Sequence, residues 1–146
     1  MFHWDELTCA VDWSPQSHVA MEYAADLAKR LGAKLTLVYV DPEAVPSPAH
    51  DEMLERWRVE AGERAGSRVS SMRLVGDAVP TILQQVRDSG CQLLVVGTHG
   101  RAGISRLALG SVAEELVRRS TCPVLVARNG RLLRREEDEE EAAQYR

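Results

Sequence analysis

Two nearly unbroken apolar runs, Leu35-Thr36-Leu37-Val38-Tyr39-Val40 and Leu93-Leu94-Val95-Val96, constrain this chain more than any other feature. A strand with one wet face alternates apolar and polar residues. A continuous run suits a strand buried on both faces, and such strands belong to parallel sheets covered by helices on either side. The first run stops at Asp41-Pro42 and the second at Gly97, residues that break a strand abruptly.

The rest of the chain supplies the alternation that such a sheet needs. Leu7-Thr8-Cys9-Ala10-Val11 predicts a first strand, and Ser14-Pro15 opens a helix as cap and first helical residue. Val19, Ala20, Tyr23, Ala24, Leu27, Ala28 and Leu31 recur at helical spacing, and Gly32 closes that helix. After a proline-rich loop, a polar helix is expected over residues 49–64 with Met53, Leu54, Trp57 and Val59 inward. A weakly alternating strand follows at 68–75, then a helix at 78–89 with Pro80 in its first turn. The second run is the fourth strand, a helix covers 111–120, and Pro123-Val124-Leu125-Val126-Ala127 makes a fifth strand. Strands alternating with helices predict an α/β doubly wound domain over residues 1–128. Residues 129–146 hold six consecutive acids, Glu136 to Glu141, with little to bury, and are expected to form a disordered charged tail.

Composition narrows the partners. A net charge of −4 gives no basic face for nucleic acid, and no apolar stretch is long enough to span a bilayer. The amino-terminal residues, acidic where a secretory leader is cationic, predict no leader. Cys9, Cys91 and Cys122 are too scattered for a disulfide framework or a zinc site, so buried or half-buried reduced thiols and a cytoplasmic location are expected.

The connection after the fourth strand is unusual. From Gly97 to Gly110 it holds Gly97, Gly100, Gly103 and Gly110, and strand-to-helix connections are commonly about 2–6 residues. Ligands of open α/β sheets sit beyond the carboxyl ends of strands, where strand order reverses. If the first and fourth strands are neighbours, Asp12 and this stretch face one crevice. Ser111, with Glu114 three residues on, reads as a capping box. That helix start either binds an anion, with Ser111 and a cation from Arg101 or Arg106, or is an ordinary capped helix. Asp12 reads as a ribose acceptor or as a turn residue, and His99 as a phosphate contact or a plain loop residue. No P-loop, dinucleotide fingerprint or nucleophile elbow occurs, and no catalytic residue can be named.

Gly97-Thr98-His99-Gly100, nine further residues and then Gly110-Ser111, with Ala10-Val11-Asp12, Gly76-Asp77 and Cys122-Pro123-Val124-Leu125-Val126, make the chain resemble the universal stress protein family from about Leu7 to Arg128. The resemblance implies a Rossmann-like five-stranded parallel sheet in the order 3-2-1-4-5. It implies ATP as ligand, with a magnesium or manganese ion held mainly by the phosphates. By position, Asp12 would contact ribose or adenine, and the backbone near Val40 (or Tyr39) would meet the adenine edge. Gly97, Gly100, Gly110, Ser111 and Val112 would surround ribose and phosphates, with His99 and Arg101 as further contacts. The last strand would form a homodimer. Trp13 stands where the family more often has a small residue and would narrow the pocket. The implied function is a cytoplasmic ATP-binding regulator of stress responses. The alternatives are a slow ATPase or phosphotransferase, and a nucleotide-free dimerisation module.

Overall fold

The computed structural model describes residues 3–98 and 109–128. Within them the chain runs β1 (Glu6–Val11), α1 (Pro15–Leu31), β2 (Lys34–Asp41), α2 (Pro48–Ala65), β3 (Ser70–Val75), α3 (Ala78–Ser89), β4 (Leu93–Gly97), α4 (Ser111–Arg119) and β5 (Val124–Ala127). The five strands form one sheet in the order β3-β2-β1-β4-β5, and all pairings are parallel. The expected architecture and strand order are therefore present. His99, Gly100, Arg101 and the tail at 129–146 lie outside the described residues.

The apolar runs are buried on both faces, as continuous patterning demands. One face carries Leu7, Cys9, Val11, Leu35, Leu37, Tyr39 and Val95 against α1 and α2. The other carries Leu94 and Val96 against Val79, Ile82, Leu83 and Val86 of α3 and Ala113 and Leu116 of α4. Successive residues of one strand thus feed opposite cores.

Two helix faces differ from the sequence expectation. In α1 the buried residues are Ser17, Ala20, Met21, Ala24, Ala25 and Ala28, while Tyr23 and Leu31 are exposed. Small side chains let this helix lie close to the sheet, so the contact follows the alanine ridge instead of the largest apolar residues. In α2, Leu54, Ala61 and Ala65 are buried and Val59 is exposed. The inward stripe is Leu54, Trp57, Ala61 and Ala65, spaced at three and four residues, and Val59 falls off it.

The start of α1 is tied down by a compact set of hydrogen bonds. The Oγ of Ser14 caps the helix by accepting from the N–H of Ser17 at 3.1 Å, and the Oγ of Ser17 accepts from the N–H of Asp12 at 3.1 Å. The Oδ1 of Asp12 accepts from the N–H of Ser14 at 3.0 Å and from the Ser14 hydroxyl. This first turn lies directly on β4: a Cβ at Gly97 would meet the carbonyl carbon of Gln16 at 2.8 Å, its oxygen at 2.9 Å and the Ser17 nitrogen at 3.0 Å. All three are backbone atoms and cannot rotate away. Gly97→Ala is expected to lower stability by about 1–3 kcal/mol, the usual penalty of overpacking. Urea denaturation followed by circular dichroism reads this as a lower midpoint; an unchanged midpoint would mean that α1 does not need the glycine.

Candidate functional site

At the carboxyl edge of the sheet the central strands separate. β1 pairs with β4 from Leu7↔Leu93 to Cys9↔Val95, whereas β4 stays paired with β5 as far as Gly97↔Ala127. On its other side β1 follows β2 to Val11↔Tyr39. The opening between β1 and β4 lies where strand order reverses, the usual place for a ligand crevice in such sheets. Asp12 begins immediately past β1, Val40 is the next residue of β2 after Tyr39, and Gly97 ends β4. Asp12, Val40 and Gly97 therefore sit along one edge, each half-buried.

Across the connection, the N–H of Gly110 donates to the carbonyl of Thr98 at 2.7 Å, which ties the start of α4 to the end of β4. The capping box expected at Ser111 does not form. Gly110 is the N-cap, in extended conformation with φ −62° and ψ 155°, and no side chain caps the helix. Ser111 is the first helical residue and is exposed, as are Val112 and Glu114. The first intrahelical bond is donated by Glu114 to the Gly110 carbonyl at 3.0 Å, so the amides of 111–113 precede it. A helix start without a side-chain cap presents those amides, and the positive end of the dipole, to whatever lies in front of it. Glu114 puts a negative charge into the same turn.

Asp12 acts in the turn as well as lying at the crevice, since its Oδ1 holds the Ser14 knot described above. Trp13 follows it at φ 66°, a left-handed conformation costing on the order of 1–3 kcal/mol for a non-glycine residue. Its buried indole N–H also finds no partner among the described residues. What offsets these costs is packing. The ring centroid lies 4.7 Å from Tyr39 and 5.0 Å from Trp57, with His50 at 6.5 Å, and each such ring pair contributes about 0.5–1.5 kcal/mol beyond burial. The indole packs against the core shared with α1 and α2, whereas Ala10 and Val40 pack against the α3–α4 core.

A polar network next to Val40 has no sequence signature. Asp41, the last residue of β2, is buried with its Oδ2 accepting from Arg73 Nη2 at 2.7 Å and Nε at 3.2 Å. The Nδ1 of His50 lies 3.2 Å from the same oxygen and 3.4 Å from the Tyr39 hydroxyl. Asp41 Oδ1 accepts from the N–H of Glu43 at 3.0 Å, and Arg73 also donates to the Val45 carbonyl at 2.6 Å. The network clamps the loop after β2 beside the crevice. Arg73 lies on β3, opposite Tyr39 in register, so only strand pairing brings it to Asp41.

A model of the universal stress protein family matches residues 3–128 of the chain. The chain belongs to the universal stress protein family. This universal stress protein is 31% identical to universal stress protein YxiE of Bacillus subtilis, over 85% of its own length and 99% of that protein's. Universal stress protein UspA from Lactobacillus plantarum shares the fold with a TM-score of 0.76 at 23% identity, covering 88% of this chain and all of that one. A universal stress protein solved in complex with cAMP matches with a TM-score of 0.67 at 25% identity, over 86% of this chain and 98% of that one.

The Glu43 N–H and the Arg73 guanidinium hold the carboxyl of Asp41 down at about 2. Because the folded value lies below the unfolded one of about 3.9, this carboxylate's contribution is complete above pH ~4 and is lost as pH falls toward 2. Asp41→Asn is expected to flatten the dependence of stability on pH across that window, measured by urea titration at each pH. An unaltered slope would show that other carboxylates govern acid unfolding.

Proposed function

We propose that this universal stress protein binds ATP, or another adenine nucleotide, in the crevice between the carboxyl ends of β1 and β4, and regulates partner proteins as a homodimer. The observation that carries the reading is the Gly110–Thr98 tie. It holds an uncapped helix start beside the strand-order switch, where a phosphate finds backbone N–H donors and a favourable dipole. The bound relative in complex with cAMP supports an adenine nucleotide as the ligand class.

In this reading Asp12 faces the ribose or adenine, and the main chain at Val40 meets the edge of the base. Gly97, Gly110, Ser111 and Val112 lie around ribose and phosphates, with His99, Gly100 and Arg101 of the intervening stretch as further contacts. No three His, Cys, Asp or Glu side chains gather as metal ligands among the described residues. A magnesium or manganese ion accompanying ATP would therefore be held through phosphate oxygens. The Trp13 indole packs toward Tyr39 and Trp57, which favours an open crevice over a nucleotide-free module filled by that ring. The edge of β5 away from β4 pairs with no strand among the described residues, and Val124, Leu125 and Val126 are half-buried; a second copy laid along it would cover that apolar edge.

Calorimetric titration with magnesium and ATP tests the reading. The wild type is expected to bind with micromolar affinity. Gly110→Val, which puts a branched side chain at the uncapped helix start, is expected to weaken binding by at least ~10-fold, equivalent to about 1.4 kcal/mol. Equal affinity in wild type and variant would move the site elsewhere, and no binding in the wild type would sink the nucleotide reading.

A further inference from the structure

The three cysteines divide between the two faces of the sheet. Cys9, on the central strand β1, is fully buried in the core shared with α1 and α2. Cys91 belongs to the α3–α4 core, and Cys122 packs against that same core. Cys9 is thereby separated from both by the sheet.

Cys91 and Cys122 enter adjacent paired strands from the same end. β4 and β5 pair in parallel from Leu94↔Val124, and the N–H of Leu94 donates to the Pro123 carbonyl at 3.0 Å. Cys122 stands two residues before Val124 and so shares its face. The approaches to the two cysteines match: the N–H of Cys91 donates to Ser89 Oγ at 3.3 Å, and the N–H of Cys122 donates to Ser120 Oγ at 3.2 Å. The register that pairs Leu94 with Val124 sets Gln92 opposite Cys122, so Cys91 stands one residue before that position; both thiols lie in the core under α3 and α4, close enough to interact directly.

We propose that Cys91 and Cys122 form a reversible intramolecular disulfide across the amino ends of β4 and β5 when the protein meets a hydroperoxide. Cys122 is half-buried and Cys91 only 6% exposed, so the oxidant reaches Cys122 first. The Cys122 sulfur, as thiolate, attacks the peroxide. The O–O bond breaks, the sulfur becomes a sulfenic acid, and the displaced oxygen leaves as alcohol or, from hydrogen peroxide, as water. The Cys91 sulfur then attacks Cys122, the S–O bond breaks, and the released hydroxide takes the Cys91 proton to leave as water. Two thiols lose two electrons in total and one peroxide gains them; a dithiol reductant reverses the step. Burial raises the Cys122 thiol above its ordinary range, and the adjacent Cys91 adds to the rise, so the first attack is slower than at an activated redox cysteine. The site lies at the opposite end of the strands from the nucleotide crevice and does not depend on that reading.

The test treats the folded full chain with hydrogen peroxide, alkylates remaining thiols under denaturing conditions and maps peptides without reduction. The expected product is a peptide joining Cys91 to Cys122, with the chain still monomolecular by non-reducing electrophoresis, Cys9 alkylated, and the link lost on treatment with dithiothreitol. Cys9→Ala is expected to retain the link, and Cys122→Ser to abolish it while Cys91 stays alkylatable. Retention of all three thiols, accumulation of sulfinic acid at Cys122 beside an intact Cys91 thiol, or a link involving Cys9 or a second chain would each overturn the proposal.

Discussion

The contact on which this architecture turns is the first turn of α1 lying on the backbone of Gly97. Packed interiors are as dense as organic crystals, so a helix can come this close to a strand only where a side chain is missing. The alanine ridge of α1 continues the same close approach across β1 and β4. Asp12, Ser14 and Ser17 then lock that turn with mutual hydrogen bonds, and these bonds also set where the chain leaves β1. A helix-packing requirement thereby decides the shape of the crevice edge. Gly97 has a structural reason to be glycine whether or not a ligand approaches it.

The crevice is framed by two further constraints of different kinds. On the α4 side, a single backbone hydrogen bond from Gly110 to Thr98 closes the base of the long connection and aims an uncapped helix start at the sheet edge. On the β2 side, the buried Asp41–Arg73 pair with His50 and Glu43 secures the loop that follows Val40. A buried carboxylate is tolerable only when its oxygens are satisfied, and here Arg73, His50 and the Glu43 N–H do so through four contacts. The costs collected at Trp13, a left-handed backbone and an indole N–H without a described partner, are met by the aromatic stack with Tyr39 and Trp57.

Much of this was legible beforehand, for physical reasons that differ by element. Continuous apolar runs announced strands buried on both faces, and the glycines at 32 and 90, both at positive φ, ended α1 and α3 where expected. Helix faces were less legible where small residues make the contact: Ala25 and Met21 are buried while Tyr23, larger and on the expected stripe, is exposed. The cap of α4 was misassigned by one residue because Ser111 and Glu114 carry the capping-box pattern while the backbone makes Gly110 the cap. The Asp41–Arg73 pair was invisible because its partners are 32 residues apart and meet only through strand pairing.

By itself, the order of apolar runs, breakers and helical periods determined an alternating α/β chain, and the spacing of Gly97, Gly100, Gly110 and Ser111 pointed to the universal stress protein family. Both are properties of order and spacing along the chain, readable without knowing which segments meet. Tertiary structure alone decided which strands separate at the carboxyl edge, which charge Asp41 meets, that Trp13 turns toward α2, and that Cys91 and Cys122 share one face while Cys9 takes the other. Those depend on register and close packing between distant segments, and neither is encoded in any short stretch of the chain.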